Sequence, residues 1–220
     1  MGLIIAIDGP AGAGKSTIAR RLAERLGFTY IDTGAMYRVV ALWALRQNTD
    51  PEDMHRVGQL ADAANIELHD GRVLLNQEDV SALIRTPEVA AAASRVAANP
   101  QVRRAMVAKQ RELSENRNVI LEGRDIGTVV FPNAQLKIFL DAQPGERIRR
   151  RTADQPEQAP EAVAAAITDR DRRDQTRKES PLAQAPDAVY LDSTALTPDE
   201  VEEAILRLVR ARMTNGKEFH

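Results

Sequence analysis

The 220-residue sequence predicts an α/β fold in which a parallel sheet of about five strands is flanked by helices. Short apolar segments rich in branched residues alternate along the chain with segments whose apolar residues recur at three- and four-residue steps. A glycine-rich loop, GPAGAGKS, joins the first of these strands to the first helix. Such sheets bind ligands at the carboxyl ends of their strands, which is where site residues are expected.

The first strand and the first helix are well marked. LIIAI at 3–7 is followed by Asp8-Gly9-Pro10, which predicts a short strand buried on both faces. Residues 15–26 are predicted to be helical, and Gly27 is expected to end that helix. The apolar residues at helical spacing are Ile18, Ala19, Leu22, Ala23 and Leu26.

The later elements continue the alternation. Further strands are predicted at FTYI (28–31), VILE (119–122), LKIFL (136–140) and AVYL (188–191), and the second helix is predicted over 35–46. The last helix is predicted over 201–213, because Thr197, Pro198 and Glu200 supply an N-cap, a first-turn proline and a capping-box acid before it.

Two segments interrupt the alternation. Between about 60 and 95, Asp70-Gly71 lies between strand-like runs, which predicts a hairpin within an inserted subdomain. The second segment runs from Glu146 to Glu179 and is highly charged, with a polar stretch, TADQPEQAP, that predicts a mobile excursion.

The composition restricts the classes of function. The chain has no cysteine, no signal-peptide pattern and no apolar run near the roughly 20 residues of a membrane span, which predicts a soluble cytoplasmic protein. A formal net charge of −2 gives no reason to expect nucleic-acid binding. Only five of the 30 basic residues are lysines, and arginine is the side chain suited to bidentate contact with phosphate, although high genomic GC content would give the same bias.

The loop from Gly9 to Ser16 satisfies the pattern GxxxxGK[ST] in the strand, loop and helix context that a phosphate-binding loop requires. Backbone N–H groups and the positive end of the following helix would attract phosphate oxygens. Lys15 is expected to reach the β- and γ-phosphates, and Ser16 is expected to ligate Mg²⁺. The predicted ATP-binding residues of this loop are Gly9, Pro10, Ala11, Gly12, Ala13, Gly14, Lys15, Ser16 and Thr17.

Phosphate loops occur in GTPases, ATP-driven machines and small-molecule kinases. The chain lacks an NKxD motif for guanine and a strand that ends in paired Asp-Glu, and it is short for an additional effector domain. These absences favour a kinase of a small acceptor, which needs a second anion site.

Three clusters are candidates for that second site: DTGAMYR (32–38), EGRDIGTVVFP (122–132) and TDRDRRDQTR (168–177). In the second cluster, Arg124 and Asp125 stand between two glycines, and a structural ion pair is the alternative reading. In the third, Arg170, Arg173, Asp174 and Arg177 share one helical face, while Asp171 and Arg172 are expected to point elsewhere, into solvent. That face suits phosphates and a sugar, or equally a self-satisfied lattice of ion pairs.

IAIDGPAGAGKST, IDTGAMYR, VILEGRDIGTVVFP with LKIFLDA, and RDRRDQTR with LDST together resemble the bacterial cytidylate kinases, members of the nucleoside monophosphate kinase family. The resemblance covers essentially the whole chain. It implies a P-loop NTPase fold that transfers phosphate from ATP to CMP or dCMP with Mg²⁺. It also implies a single domain, residues 1–220, with a CORE (1–60, 96–145 and 180–213), a monophosphate-binding insert (about 61–95) and a helical LID (about 146–179).

The resemblance also implies site residues. Thr33 and Arg38 would contact the sugar and phosphate of the acceptor, and Arg124 its phosphate. Ser94, Arg103 and Asp125 would help to recognise the cytosine of the acceptor. Arg170, Asp174 and Arg177 would bind its phosphate, ribose and base. The residues near the donor would be Arg147, Arg150 and Arg151, and those with catalytic roles Lys15, Arg124 and Arg170.

The chain departs from the family pattern in two places. Thr33 stands where serine is common, which preserves the hydroxyl, and the stretch between Arg151 and Arg170 is short. Other acceptors, such as UMP, AMP or shikimate, and an ATP-dependent switch or binding module are the alternatives. The expected partners are ATP and CMP or dCMP, with no nucleic acid or membrane, and the expected state is a monomer.

Overall fold

The computed structural model describes residues 2–69 and 71–215. The chain forms two compact units: Met1–Tyr30 with Ser114–His220, and Ile31–Leu113. In the part of the chain that is described, no helix is both long and apolar enough to cross a membrane.

Strands and helices are numbered in chain order. The strands are β1 (Ile4–Asp8), β2 (Thr29–Asp32), β3 (Ile66–His69), β4 (Arg72–Leu75), β5 (Glu78–Asp79), β6 (Val119–Gly123), β7 (Leu136–Asp141) and β8 (Val189–Asp192). The helices are α1 (Lys15–Leu26), α2 (Thr33–Arg46), α3 (Met54–Ala63), α4 (Pro87–Val96), α5 (Pro100–Leu113), α6 (Pro144–Asp154), α7 (Pro160–Thr176) and α8 (Pro198–Asn215).

The predicted five-stranded parallel sheet is confirmed, with the strand order β2-β6-β1-β7-β8. Asp8 at the end of β1 is in register with Gly123 of β6 and with Phe139 of β7. The segments that follow β1 and β6, namely the phosphate loop and the Arg124-Asp125 turn, therefore begin at the same edge of the sheet.

The core of the first unit is apolar and centred on β1, whose five residues are all buried. Helix α1 packs against β6 and against α8. Gly27 ends α1 as predicted, with a φ of 67°, and its N–H donates to the carbonyl of Ala23. The predicted capping box is also present, because the Thr197 N–H donates to Glu200 and the Glu200 N–H donates to the Thr197 hydroxyl.

The second unit combines a small antiparallel sheet, in the order β3-β4-β5, with helices α2 to α5. Its core includes Met36, Val39, Val57, Ile84 and Met106. The predicted hairpin is present, since His69 of β3 pairs with Arg72 of β4, while Asp70 lies outside the described residues. The segment 61–95, predicted as an inserted subdomain, supplies the small sheet and α4 to this unit.

Three helices differ in their bounds from the sequence prediction. Helix α8 spans Pro198–Asn215 rather than 201–213, because it begins directly after Thr197, whose hydroxyl accepts a hydrogen bond from the Glu200 N–H. Helix α2 begins at Thr33 rather than at residue 35, because the Asp32 carboxylate caps it by accepting a hydrogen bond from the Ala35 N–H at 2.8 Å. Helix α7 ends at Thr176, so Arg177 lies just beyond it in extended backbone. The polar stretch 152–160 is divided between the end of α6, the turn 155–159 and the first residue of α7.

Candidate nucleotide-binding site

The phosphate loop runs from the buried strand β1 into α1, and its glycines adopt backbone conformations that other residues rarely adopt. Gly9 has a φ of +147°, and a Cβ atom at this position would lie 1.9 Å from the carbonyl oxygen of Leu140. Gly14, with a φ of 92°, is the N-cap of α1, which begins at Lys15. Ser16 and Thr17 follow in the first turn and are exposed.

Lys15 is buried at the end of the loop, and its Nζ donates to the carbonyl of Pro10 at 2.6 Å. The pKa of Lys15 is lowered to about 7, mainly by burial and in addition by the charges of Arg124 and Arg170, while the carboxylates of Glu122 and Asp174 oppose this shift. A buried lysine close to arginines favours an anionic ligand. The ligand's charge offsets both the cost of burying the ammonium and its repulsion by the guanidinium groups.

Helix α6 lies against the loop. The buried Arg147 donates from Nε to the carbonyl of Ala142 and from one terminal nitrogen to the carbonyl of Ala11, each at 3.0 Å. Arg150 donates to the Ser193 hydroxyl at 3.0 Å and to the Ala13 carbonyl at 3.4 Å. Arg151, the third predicted donor-site arginine, is half-buried on the same helix.

Asp171 of α7 also contacts the loop, and the prediction that it points into solvent was wrong. The residue is buried, its Oδ1 accepts from the Ala11 N–H at 3.2 Å, and its Oδ2 accepts from Arg147. Arg172, its neighbour, is exposed as expected.

Asp8 holds the turn that follows β6. Its two carboxylate oxygens accept from the N–H groups of Ile126 at 2.8 Å and Gly127 at 2.7 Å. Burial raises the pKa of Asp8 to about 6, although these two hydrogen bonds and the charge of Lys15 work against that rise. The carboxylate thus fixes the π-helical turn 126–130, which directly follows Arg124 and Asp125.

The predicted acceptor residues of the first unit form a chain of ion pairs. Arg124 Nε donates to Asp174 at 2.9 Å, and Arg177 lies 3.6 Å from Asp174 and 3.6 Å from Asp125. Burial alone would raise the pKa of Asp174, but the charges of Arg124, Arg170 and Arg177 hold it below its ordinary value. Arg124 and Asp125 thus each have an ion-pair partner on or just after α7.

The predicted acceptor residues of the second unit lie on three helices of its core. Thr33 is buried in the first turn of α2, and Arg38 donates to Asp32 at 2.9 Å. Ser94 is buried on α4. Arg103, buried on α5, lies over the ring of Tyr37 with its guanidinium carbon 5.5 Å from the ring centroid.

Sequence reasoning missed Asp171, Asp8 and Ser193 as residues of the site. For Asp171 a signal was available: Val163, Ile167, Asp171 and Asp174 form the buried face of α7 at helical spacing. The apolar stripe of the helix, extended by one turn, falls on Asp171. Asp8 and Ser193 lie within the quoted segments IAIDGPAGAGKST and LDST, at the end of β1 and directly after β8, but nothing in those segments gave either residue a role.

The loop fits a magnesium ion that is carried by phosphates. Within residues 2–69 and 71–215, no three His, Cys, Asp or Glu side chains are grouped so that they could hold a metal ion. Mg²⁺ bound to substrate phosphates keeps several waters and needs only one or two protein ligands. The exposed hydroxyl of Ser16, at the start of α1, can supply one such oxygen.

A phosphate loop on a five-stranded parallel sheet, with arginine-bearing helices against it, defines a nucleotide-binding protein of the P-loop class. Solved structures share the fold. A gluconokinase from Sinorhizobium meliloti 1021 aligns over all of this chain and 98% of its own, with a TM-score of 0.52 at 15% identity. A shikimate kinase from Bacteroides thetaiotaomicron covers 94% of this chain and 98% of its own, with a TM-score of 0.50 at 13% identity.

Sequence comparison narrows the class. The family model for cytidylate kinase matches residues 5–211, and the chain belongs to that family. The cytidylate kinase of Solibacter usitatus (strain Ellin6076) is 64% identical over 99% of this chain and 96% of its own length. The cytidylate kinase of Caldanaerobacter subterraneus is 48% identical over 97% of this chain and 96% of its own.

Proposed function

We propose that the protein transfers the γ-phosphoryl group of ATP to CMP and dCMP, giving ADP and CDP or dCDP. The observation that carries the proposal is the position of Lys15, which is buried in the phosphate loop and surrounded by the charges of Arg124 and Arg170. One cationic site thereby joins residues of the donor loop to residues predicted to bind the acceptor. The family and the names of the relatives supply the identity of that acceptor.

ATP would bind with its phosphates on the loop residues 9–17. The backbone N–H groups and the N-terminus of α1 favour phosphate oxygens there. Lys15 would contact the β- and γ-phosphates, and the Ser16 hydroxyl would hold Mg²⁺, which neutralises phosphate charge when bound. Arg147, Arg150 and Arg151 would complete the donor site, the first two through the loop carbonyls to which they donate.

For the acceptor, we propose that Arg124, Arg170 and Arg177 bind the CMP phosphate and that Asp174 accepts hydrogen bonds from the ribose. Asp125, Ser94 and Arg103 would read the cytosine, whose amino group needs an acceptor and whose O2 needs a donor. Thr33 and Arg38 would contact the sugar and the phosphate. The Arg124–Asp174–Arg177 pairs would then exchange part of their bonding for the ligand's oxygens.

The reaction needs alignment and charge neutralisation more than proton transfer. An oxygen of the CMP phosphate attacks the γ-phosphorus, and the bond from that phosphorus to the β–γ bridging oxygen breaks. Phosphate monoesters have a second pKa of about 6, so the attacking oxygen is largely deprotonated at neutral pH. Lys15, Arg124 and Arg170 would therefore act as fixed cations, and no general base is required.

The segment 146–179 would act as a LID over the donor site, with 61–95 as the monophosphate-binding insert and the remainder as CORE. Closure of the LID would exclude water, which competes as an acceptor. A monomer in the cytoplasm that binds neither nucleic acid nor membrane would suit this role.

A coupled assay with Mg²⁺ and ATP tests the acceptor. CMP and dCMP are expected to give the highest kcat/KM in a panel that also contains UMP, AMP and shikimate. A higher kcat/KM for any of these three would overturn the assignment to CMP and dCMP while leaving a P-loop kinase of another acceptor.

A further inference from the structure

The contact of Asp171 with the phosphate loop has no function in the binding of ATP and CMP as proposed so far. We propose that Asp171 is a positioning residue that acts with Arg147 to fix the phosphate loop and thereby sets the affinity for ATP. The inference rests on the proposed function to the extent that the loop is the ATP site, and it gives a role to a residue that had none from the loop motif or from the family resemblance.

Both backbone polar groups of the loop residue Ala11 form hydrogen bonds with side chains. The Ala11 N–H donates to Asp171 at 3.2 Å, and the Ala11 carbonyl accepts from Arg147 at 3.0 Å. The same terminal nitrogen of Arg147 donates to Asp171, which closes the arrangement. Ala11 is thus held by one residue from α6 and one from α7.

These contacts matter because the loop's own side chains are small and contribute few stabilising contacts. Positions 9–14 are three glycines, two alanines and a proline, and Gly12 and Gly14 both have positive φ. At Gly12, an added Cβ would lie 2.9 Å from the carbonyl oxygen of Arg147, so the α6 backbone also packs directly on the loop. A loop that is already ordered loses less entropy when phosphate binds.

The negative charge at position 171 is needed as well as its shape. Arg147 is buried, and a buried guanidinium that loses its carboxylate partner becomes an uncompensated charge. In an asparagine, Oδ1 could still accept from Ala11, but the amide nitrogen would face the guanidinium, donor against donor. Asp171→Asn should therefore release Arg147 from Ala11.

The same helix offers a matched control. Asp169, two residues earlier, is exposed and pairs with the exposed Arg172 at 3.4 Å. Asp169→Asn makes the same chemical change on the same helix without touching the loop. Exposed ion pairs of this kind contribute little to the free energy of unfolding.

Titration calorimetry with Mg²⁺ and ATP, without any acceptor, tests the inference. Loss of a charge-assisted contact predicts at least about tenfold weaker ATP binding by Asp171→Asn, and a change within about twofold for Asp169→Asn. Arg147→Met should show a similar loss, and Asp171→Asn combined with Arg147→Met should lose no more than the worse single variant. Unchanged ATP affinity in Asp171→Asn, or losses that multiply in the double variant, would overturn the inference.

Steady-state kinetics separate positioning from a merely structural role. A variant that only unfolds more easily has fewer active molecules, which lowers the apparent kcat and leaves both KM values unchanged. Asp171→Asn is expected to raise the KM for ATP and to leave the KM for CMP within about twofold. If Asp171→Asn does not fold, Arg147→Lys takes its place, because an ammonium cannot reproduce the planar contacts of the guanidinium. The calorimetric titration contains ATP but no acceptor, so its result would stand even if CMP were not the substrate.

Discussion

Lys15 shows how the residues of this site favour an anionic ligand. Its ammonium is buried among arginines, and its pKa stands at about 7 instead of the ordinary value of 10.5. Triphosphate oxygens beside the ammonium would favour its charged form and raise that pKa. ATP binding and protonation of Lys15 are therefore linked.

This linkage gives a prediction with a definite sign. At pH 8 the free protein holds Lys15 largely neutral, while the ATP complex holds it charged, so binding should take up a proton. Between the two pKa values, ATP affinity should fall as the pH rises, by at most about tenfold per pH unit. Calorimetry at pH 8 in buffers of different ionisation enthalpy measures the uptake. Lys15→Arg is the control, because a guanidinium stays charged and should abolish the uptake, and zero uptake by the wild type would contradict the linkage.

Asp174 is the carboxylate that joins the arginines of the acceptor cluster, with Arg124 at 2.9 Å and Arg177 at 3.6 Å. Asp174→Asn is expected to raise the KM for CMP by about tenfold or more, because the arginines lose their common partner and the ribose loses an acceptor. The KM for ATP should change much less. Asp169→Asn, on the exposed side of the helix, is the control. Equal KM values for CMP in the two variants would mean that Asp174 serves the ion-pair lattice alone.

At the scale of elements, the turn from β1 into the loop depends on Gly9. Gly9→Ala is expected to lower the free energy of unfolding by about 2–4 kcal/mol, because the new methyl group would collide with the carbonyl oxygen of Leu140 and the φ of +147° is unfavourable for alanine. Chemical denaturation measures the loss.

Gly145, in the first turn of α6, is the control for that prediction. A Cβ atom there meets nothing within 4 Å, so Gly145→Ala should leave stability unchanged or raise it by up to about 1 kcal/mol. Equal effects of the two alanine substitutions would show that the turn tolerates a side chain.

Elements with strong local signals could be predicted from the sequence, and those set by distant contacts could not. Helix α1 matched its predicted bounds of residues 15–26, because apolar spacing and Gly27 define it locally. The start of α2 was predicted two residues too late, because the helix begins at the Asp32 cap and no apolar residue marks its first two positions. The end of α7 at Thr176 has no glycine or proline to mark it, so Arg177 was predicted within the helix.

The site shows the same division. The phosphate loop is a contiguous motif, and its position after β1 was predicted directly. The partner of Arg124 lies 50 residues away in sequence, and Asp171 contacts a loop residue 160 residues away. Such pairings depend on the register of the sheet and the direction of α7, which one sequence does not reveal. In the run 168–177, the face of the helix that forms the site was predicted from the positions of the charged residues. The buried face instead continues the apolar positions Val163 and Ile167.

At the scale of the whole molecule, the chain has two compact units, each with its own apolar core. The family match spans residues 5–211 and so includes both. The donor loop, Arg124 and the residues of α7 belong to the first unit, while Thr33, Arg38, Ser94 and Arg103 belong to the second. The monomeric state and the LID role of 146–179 stay predictions.

The central claim is that the γ-phosphoryl group passes to CMP and not to water. Its most direct test is the rate of ADP formation with and without CMP, measured together with CDP. The account predicts that ADP forms at a substantial rate only with CMP, in a one-to-one ratio with CDP, and that Lys15→Ala slows this rate by about 100-fold or more while remaining folded. ADP formation at the same rate without CMP would contradict it and would indicate an ATP-hydrolysing switch.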